Sequence, residues 1–127
     1  MVDMVKAEPN DWPYDGTIGP SRTATLDIDM QHDFCGQGGY VDRMGNDVDL
    51  TSRAIAPIKA VLRAVRRIPG YTVIYTREGH RRDLGALPAN QRWRSRQIGA
   101  GIGDPGPCGR IPVRGELGWE IVEELKA

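Results

Sequence analysis

The chain has 127 residues, about the size of one small domain. Its 17 Lys and Arg cancel its 17 Asp and Glu, so no global charge favours nucleic acid or an anionic membrane. No apolar run approaches the roughly 18 residues that span a bilayer, and the opening Met1-Val-Asp-Met-Val-Lys-Ala-Glu-Pro lacks an apolar signal core. Two cysteines are too few for a disulfide scaffold and fit a reduced, cytoplasmic setting. Gly and Pro are abundant, 16 and 9 residues, which predicts long turns and a small core. The charge balance hides a segregation: residues 1–50 carry 10 acids and 3 bases, whereas residues 77–114 carry 8 bases and 3 acids. Such a pattern serves a solvated surface, internal pairing or an oligomer face.

Residues 1–20 form an irregular arm broken by Pro9, Pro13, Gly16, Gly19 and Pro20. Trp12 and Tyr14 are expected to anchor it to the body or to a partner subunit. Residues 23–30, Thr-Ala-Thr-Leu-Asp-Ile-Asp-Met, read as a strand. Asp27 is awkward within it, because a buried carboxylate needs a partner. The chain then leaves through a Gly-rich loop. From Thr51 the period changes: Ile55, Ile58, Leu62 and Val65 make one apolar helical face, and Lys59, Arg63, Arg66 and Arg67 the other. Thr51 or Ser52 is expected to cap this helix, and Pro69-Gly70 to stop it. Tyr71-Thr-Val-Ile-Tyr-Thr76 is the clearest strand. Strand, helix and strand in this order imply a βαβ unit, a parallel sheet and an α/β class. Residues 77–115 show little periodicity and read as a long functional loop. Residues 116–126 are expected to form a short helix with Leu117, Ile121 and Leu125 on one face. A single βαβ unit would leave apolar surface uncovered.

Four constellations bear on chemistry. The first is Asp29-Met-Gln-His-Asp33-Phe34 at the end of the first strand. Ligands of open α/β sheets bind outside the carboxyl ends of strands, so a carboxylate there suits a general base, Asp29 first and Asp33 second. The plainer alternative gives Asp33 a bracing role in the loop and Asp29 a structural hydrogen bond. The second is His32, Cys35 and His80, which lack the fourth ligand, or three with a water, that zinc takes. Cys35 is a nucleophile with a histidine base or, more simply, a buried small thiol. Cys108, between Pro107 and Gly109, has no helix N-terminus to activate it. The third is a literal GxGxxG at Gly101–Gly106, but Pro105 and Pro107 forbid the helix a dinucleotide site requires. The fourth, Arg92-Trp-Arg-Ser-Arg96, suits phosphate contacts or base stacking, or a solvated or oligomer-facing turn.

Together these residues resemble a known family. A strand followed by Asp29-Met-Gln31 and Asp33-Phe34 looks like the opening motif of the isochorismatase-like cysteine hydrolases. Thr76-Arg-Glu-Gly-His80, Pro88-Ala-Asn90, Arg92-Trp-Arg-Ser95, Gly106-Pro-Cys-Gly-Arg110 and Arg114-Gly-Glu-Leu-Gly-Trp119 look most like the biuret hydrolase branch, near the ureidoacrylate and triuret amidohydrolases. The resemblance implies the N-terminal part of a three-layer αβα sandwich on a parallel, Rossmann-like sheet, with residues 1–20 as an arm and 21–127 as an incomplete hydrolase domain. It implies hydrolysis of a small-molecule amide by a Cys-Lys-Asp triad through an acyl-enzyme. Asp29 matches the family's aspartate and Phe34 an aromatic beside the substrate. The family's lysine and nucleophilic cysteine fall after the point where this chain ends; Lys59, Lys126, Cys35 and Cys108 do not match them. The chain alone is therefore expected to be inactive. Arg77-Glu-Gly-His80 replaces the Asp-x-His metal motif of nicotinamidases, so no metal and no cofactor are expected. Neither a nucleic acid nor a membrane is expected as a partner, while a homo-oligomer fits the family.

Overall fold

A computed structural model describes residues 3–8, 11–12 and 19–126. Its centre is a parallel pair, β1 (Ala24–Ile28) and β2 (Thr72–Thr76), in a register that sets Leu26 against Ile74 and Ile28 against Thr76. The helix between them, α4 (Ile55–Val65), follows three one-turn helices: α1 (His32–Cys35), α2 (Tyr40–Arg43) and α3 (Asp49–Ser52). Apolar periodicity decides α4. Leu62 is fully buried, and Ile55, Ile58 and Val65 are half-buried beside it. Pro57 sits in the first turn, where its missing N–H costs nothing. After Val65 the chain turns through Gly70, whose φ of 79° suits a residue without a Cβ.

The mixed α/β reading with a parallel pair is thus observed, but several local expectations are corrected. Thr51 and Ser52 do not cap α4; they end α3, and the Thr51 hydroxyl donates to the Phe34 carbonyl at 2.7 Å, tying α3 to α1. Residue 54 stays helical in φ and ψ, so α4 starts with no side-chain cap. Residues 77–115 are not one loop. They contain α5 (Ala89–Gln97) and a small antiparallel hairpin of β3 (Pro105–Gly106) and β4 (Gly109–Arg110). Arg92–Arg96 therefore lie on a helix rather than a turn. That helix is polar nearly all round and owes its formation to good helix formers, with Ser95 accepting from the Ile102 N–H at 3.0 Å to hold its end.

Residues 116–126 do not form one helix. A 3-10 turn at Leu117–Trp119 leads into an extended stretch and then α6 (Glu123–Lys126). Backbone bonds from His32 N–H to Glu120 O and from Val122 N–H to Met30 O, both 3.0 Å, pull the stretch open against its helical period. Ile121 and Leu125 are buried as expected, but Leu117 is 56% exposed.

The core lies on one side of the sheet. Met30, Cys35, Leu62, Ile121, Val122 and Leu125 cluster there, with Phe34, Ile58 and Tyr75 against them. The Tyr75 hydroxyl and the Arg66 guanidinium both donate to the Leu125 carbonyl, at 2.8 and 2.9 Å. The other face of the sheet carries Leu26, Ile28 and Ile74, which are 52%, 60% and 46% exposed. Parallel sheets normally have both faces covered, so the uncovered apolar surface expected of a single βαβ unit is present. Trp12 is 69% exposed and does not anchor the arm to the body of its own chain; Tyr14 lies outside the described residues. Among the described residues, no helix is long and apolar enough to cross a membrane.

Candidate active site

The carboxyl ends of β1 and β2 place Asp29 beside Thr76. The Thr76 hydroxyl donates to Asp29 Oδ1 at 2.7 Å, and the Asp29 N–H reaches back to Thr76 through its hydroxyl (3.2 Å) and its carbonyl (3.3 Å). Asp29 has φ 55°, one of two non-glycine residues with positive φ among those described. Aspartate tolerates this left-handed conformation better than most residues. Such backbone, held at a strand end by neighbouring bonds, marks a side chain whose direction is fixed by its surroundings.

Gln31 secures the other side of the turn, a role that no local pattern in the sequence signals. It is fully buried. Its Oε1 accepts from the Glu78 N–H at 2.7 Å, and its Nε2 donates to the Glu78 and Trp119 carbonyls, both at 2.9 Å. One side chain thereby joins the exits of β1 and β2 to the 3-10 turn. The Arg77 guanidinium lies 3.5 Å from the Trp119 ring centroid, a cation–π contact on the same turn.

Phe34 stands in α1 and meets Tyr40 edge-to-face, with ring centroids 6.3 Å apart. Asp33 is buried, and its Oδ1 accepts from the Tyr40 N–H at 3.2 Å. Burial holds its carboxyl above the usual range, opposed by that N–H and by the His32 charge. Asp33 thus braces the loop. Its second oxygen is buried without a partner, as are Nε2 of His80 and Nε1 of Trp119. Tyr40 and Glu78 line a cavity of about 220 Å³ with Arg94 and Ser95. Burial, with the Glu78 and Asp33 charges, pushes the Tyr40 phenol up.

Neither cysteine is activated. Cys35 points into the core, 3.7 Å from Met30 Sδ, and burial together with the Asp27 charge raises its thiol. Cys108 faces the Gly38 carbonyl at 3.7 Å, and burial and Asp33 push it the same way. His32, Cys35 and His80 do not converge: among the described residues, no three His, Cys, Asp or Glu side chains are grouped to hold a metal ion. Gly101–Gly106 runs through a turn into the β3–β4 hairpin with no helix behind it. Among the described residues, the site therefore offers one fixed carboxylate and its hydroxyl partner, with no thiolate within it.

This arrangement sits within a recognised domain. A sequence model of the isochorismatase domain matches residues 23–127, so the chain belongs to the isochorismatase family. It is 33% identical over 126 residues to the ureidoacrylate amidohydrolase RutB of Caulobacter segnis, covering 97% of this chain and 51% of that protein. The RutB of Caulobacter vibrioides is 33% identical over 127 residues, covering 96% and 53%, and that of Agrobacterium fabrum 34% over 113 residues, covering 87% and 49%. The chain spans about half the length of these relatives.

Proposed function

We propose that this chain is the aspartate-bearing part of a cysteine amidohydrolase that cleaves a C–N amide bond of a small ureido compound, such as biuret or ureidoacrylate. Asp29 takes the proton of a cysteine thiol supplied by a further segment of the domain. The thiolate adds to the amide carbonyl, the C–N bond breaks, and the amine leaves with a proton. Water then hydrolyses the acyl-enzyme. A lysine of that same further segment steadies the two charges, and Phe34 lines the pocket. In this reading residues 1–20 are an arm and 21–127 the first part of an αβα domain. The observation that carries it is the fixed Asp29 carboxylate at the end of β1, held by Thr76. The names of the relatives support the substrate class.

The chain alone should release no ammonia from biuret or ureidoacrylate. A chimera of residues 1–127 followed by the second half of Caulobacter vibrioides RutB should release it, and Asp29→Asn should abolish that activity. A folded chimera that stays active when it carries Asp29→Asn overturns the role of Asp29. Activity of the 127-residue chain, lost in Asp29→Ala, overturns its dependence on a second segment.

A second reading rests on the two-stranded β1–β2 sheet, whose outer edges have no strand partner among the described residues, and on its exposed Leu26, Ile28 and Ile74 face. The chain would act without catalysis, pairing through its free sheet edge with a complete family subunit. Co-elution with such a subunit on size exclusion supports this, and separate elution overturns it.

A further inference from the structure

The arm and the α5 face carry opposite chemistry, and among the described residues neither is matched within its own chain. In the arm, Val5 and Trp12 bridge each other through paired backbone bonds of 2.7 and 2.8 Å. This bridge presents Met4, Val5 and Trp12 at 52%, 60% and 69% exposure. Asp3, Glu8 and Asp11 surround it with one base, Lys6, all exposed, so the described arm is net negative; among the described residues no ion pair reaches these groups. An apolar strip of this kind, rimmed by charge, marks a contact surface.

The counterpart is a groove between the 83–87 turn and α5, with a volume of about 490 Å³. Leu84, Leu87 and Trp93 are its large apolar lining residues, and Arg92 and Arg96 line it beside them. The two arginines stand one turn apart on the helix, so they share a face. Among the described residues neither has a carboxylate partner. Asp83, the one acid among the described lining residues, is already taken: it binds Arg81 at 2.9 Å and the Gly85 N–H at 3.0 Å. The groove thus combines apolar side chains with two arginines unpaired among the described residues, and the arm combines apolar side chains with a net negative charge.

We propose that the groove beside α5 receives the acidic arm of a second copy of this chain, with Trp12 seated against Leu84, Leu87 and Trp93 and the arm's carboxylates facing Arg92 and Arg96. Reciprocal exchange of two arms between two grooves closes a two-fold dimer. Apolar burial supplies the affinity, and the charges set direction and partner choice. The same groove has the makings of a base-stacking platform, but residues 1–50 would repel a polyanion, whereas they supply what a basic groove in a second copy needs.

Sedimentation equilibrium of the full chain tests this. A reversible dimer is expected at about 50 mM salt and at least tenfold weaker association at about 500 mM, since exposed pairs are screened. Arg92→Glu with Arg96→Glu should weaken the dimer at least tenfold, as should Asp3→Lys, Glu8→Lys and Asp11→Lys together. Mixing these two charge-reversed chains should restore a heterodimer, a result that misfolding does not produce. A monomer at every concentration, a dimer indifferent to both reversals, or no recovery on mixing overturns the proposal. So does salt-sensitive binding of the unaltered chain to single-stranded oligouridylate that is lost in the double arginine variant without any dimer.

Discussion

Thr76 Oγ1 lies 2.7 Å from Asp29 Oδ1 and is at the same time an acceptor for the Asp29 N–H. One hydroxyl therefore sets both the backbone and the side chain of a residue with φ 55°. Thr76→Val keeps the β-branched shape and removes both bonds, so a loss of about 1 kcal/mol is expected in urea unfolding. Thr76→Ser should restore most of it. At position 29 itself, Asn accepts the same bond and tolerates the left-handed region, so Asp29→Asn should stay within about 0.5 kcal/mol of the parent. Val at that φ is strained and should cost about 1–2 kcal/mol beyond the lost bond. Equal stability of the Asn and Val variants would show that the strand end relaxes and does not fix the carboxylate.

Gln31 is a stronger dependence. Its side chain satisfies the N–H and C=O of Glu78 and the C=O of Trp119 from a fully buried position. Gln31→Leu fills similar space and strands these backbone groups, each at about 1–3 kcal/mol. Against a total stability of about 5–15 kcal/mol for a typical domain, that loss should unfold much of the population. Circular dichroism and urea titration measure it. A Leu variant within about 1 kcal/mol of the parent would mean that water replaces the amide there.

The sequence exposed what burial organises and hid what polar bonds organise. The α4 stripe and the β-branched run of β2 carry their own periods, so both could be read directly, together with the parallel pairing they imply. The position of Asp29 followed from the end of β1. α5 was invisible because no apolar stripe marks it. Leu117, Ile121 and Leu125 keep a helical spacing, yet backbone bonds to His32 and Met30, far back along the chain, break the helix. The Thr76 and Gln31 contacts join segments 47 residues apart, a relation no local pattern contains.

Asp27 gives the chain a pH dependence of defined sign. It is 3% exposed on β1, one carboxylate oxygen has no partner, and burial raises its pKa despite the charge of Arg66. A carboxyl raised on folding makes the native state bind the extra proton. Its contribution is fully present below the unfolded value near 3.8 and is lost as pH rises through the higher folded value. Asp33 acts in the same direction. Asp27→Asn should therefore raise the melting temperature at about pH 7 and change it little at about pH 3.5. Asp27→Val should stabilise further at neutral pH, by about 1–3 kcal/mol, because it removes a buried unpaired group. A lower melting temperature at neutral pH for both variants would mean that the carboxylate is paired in solution.

The two thiols should separate cleanly by labelling. Cys35 is 5% exposed, packed on Met30 and raised by burial and by Asp27, so both access and thiolate fraction are low. Its reaction with an aromatic disulfide reagent at about pH 7.5 should follow opening of the core, at least a hundredfold slower than in the unfolded chain. Cys108 is only partly buried, so it should react first, yet several-fold slower than a free thiol because burial and the Asp33 charge oppose its ionisation. Variants with one cysteine each, followed by absorbance, distinguish the two rates. Asp33→Asn should speed Cys108 but not Cys35, since the charge acting on the Cys35 thiol is that of Asp27 and removing the buried Asp33 charge does not favour opening of the core at this pH. If Cys35 instead reacts within seconds in the native chain, the thiol is activated in place. The nucleophile would then lie within these 127 residues, against the division of labour proposed for Asp29.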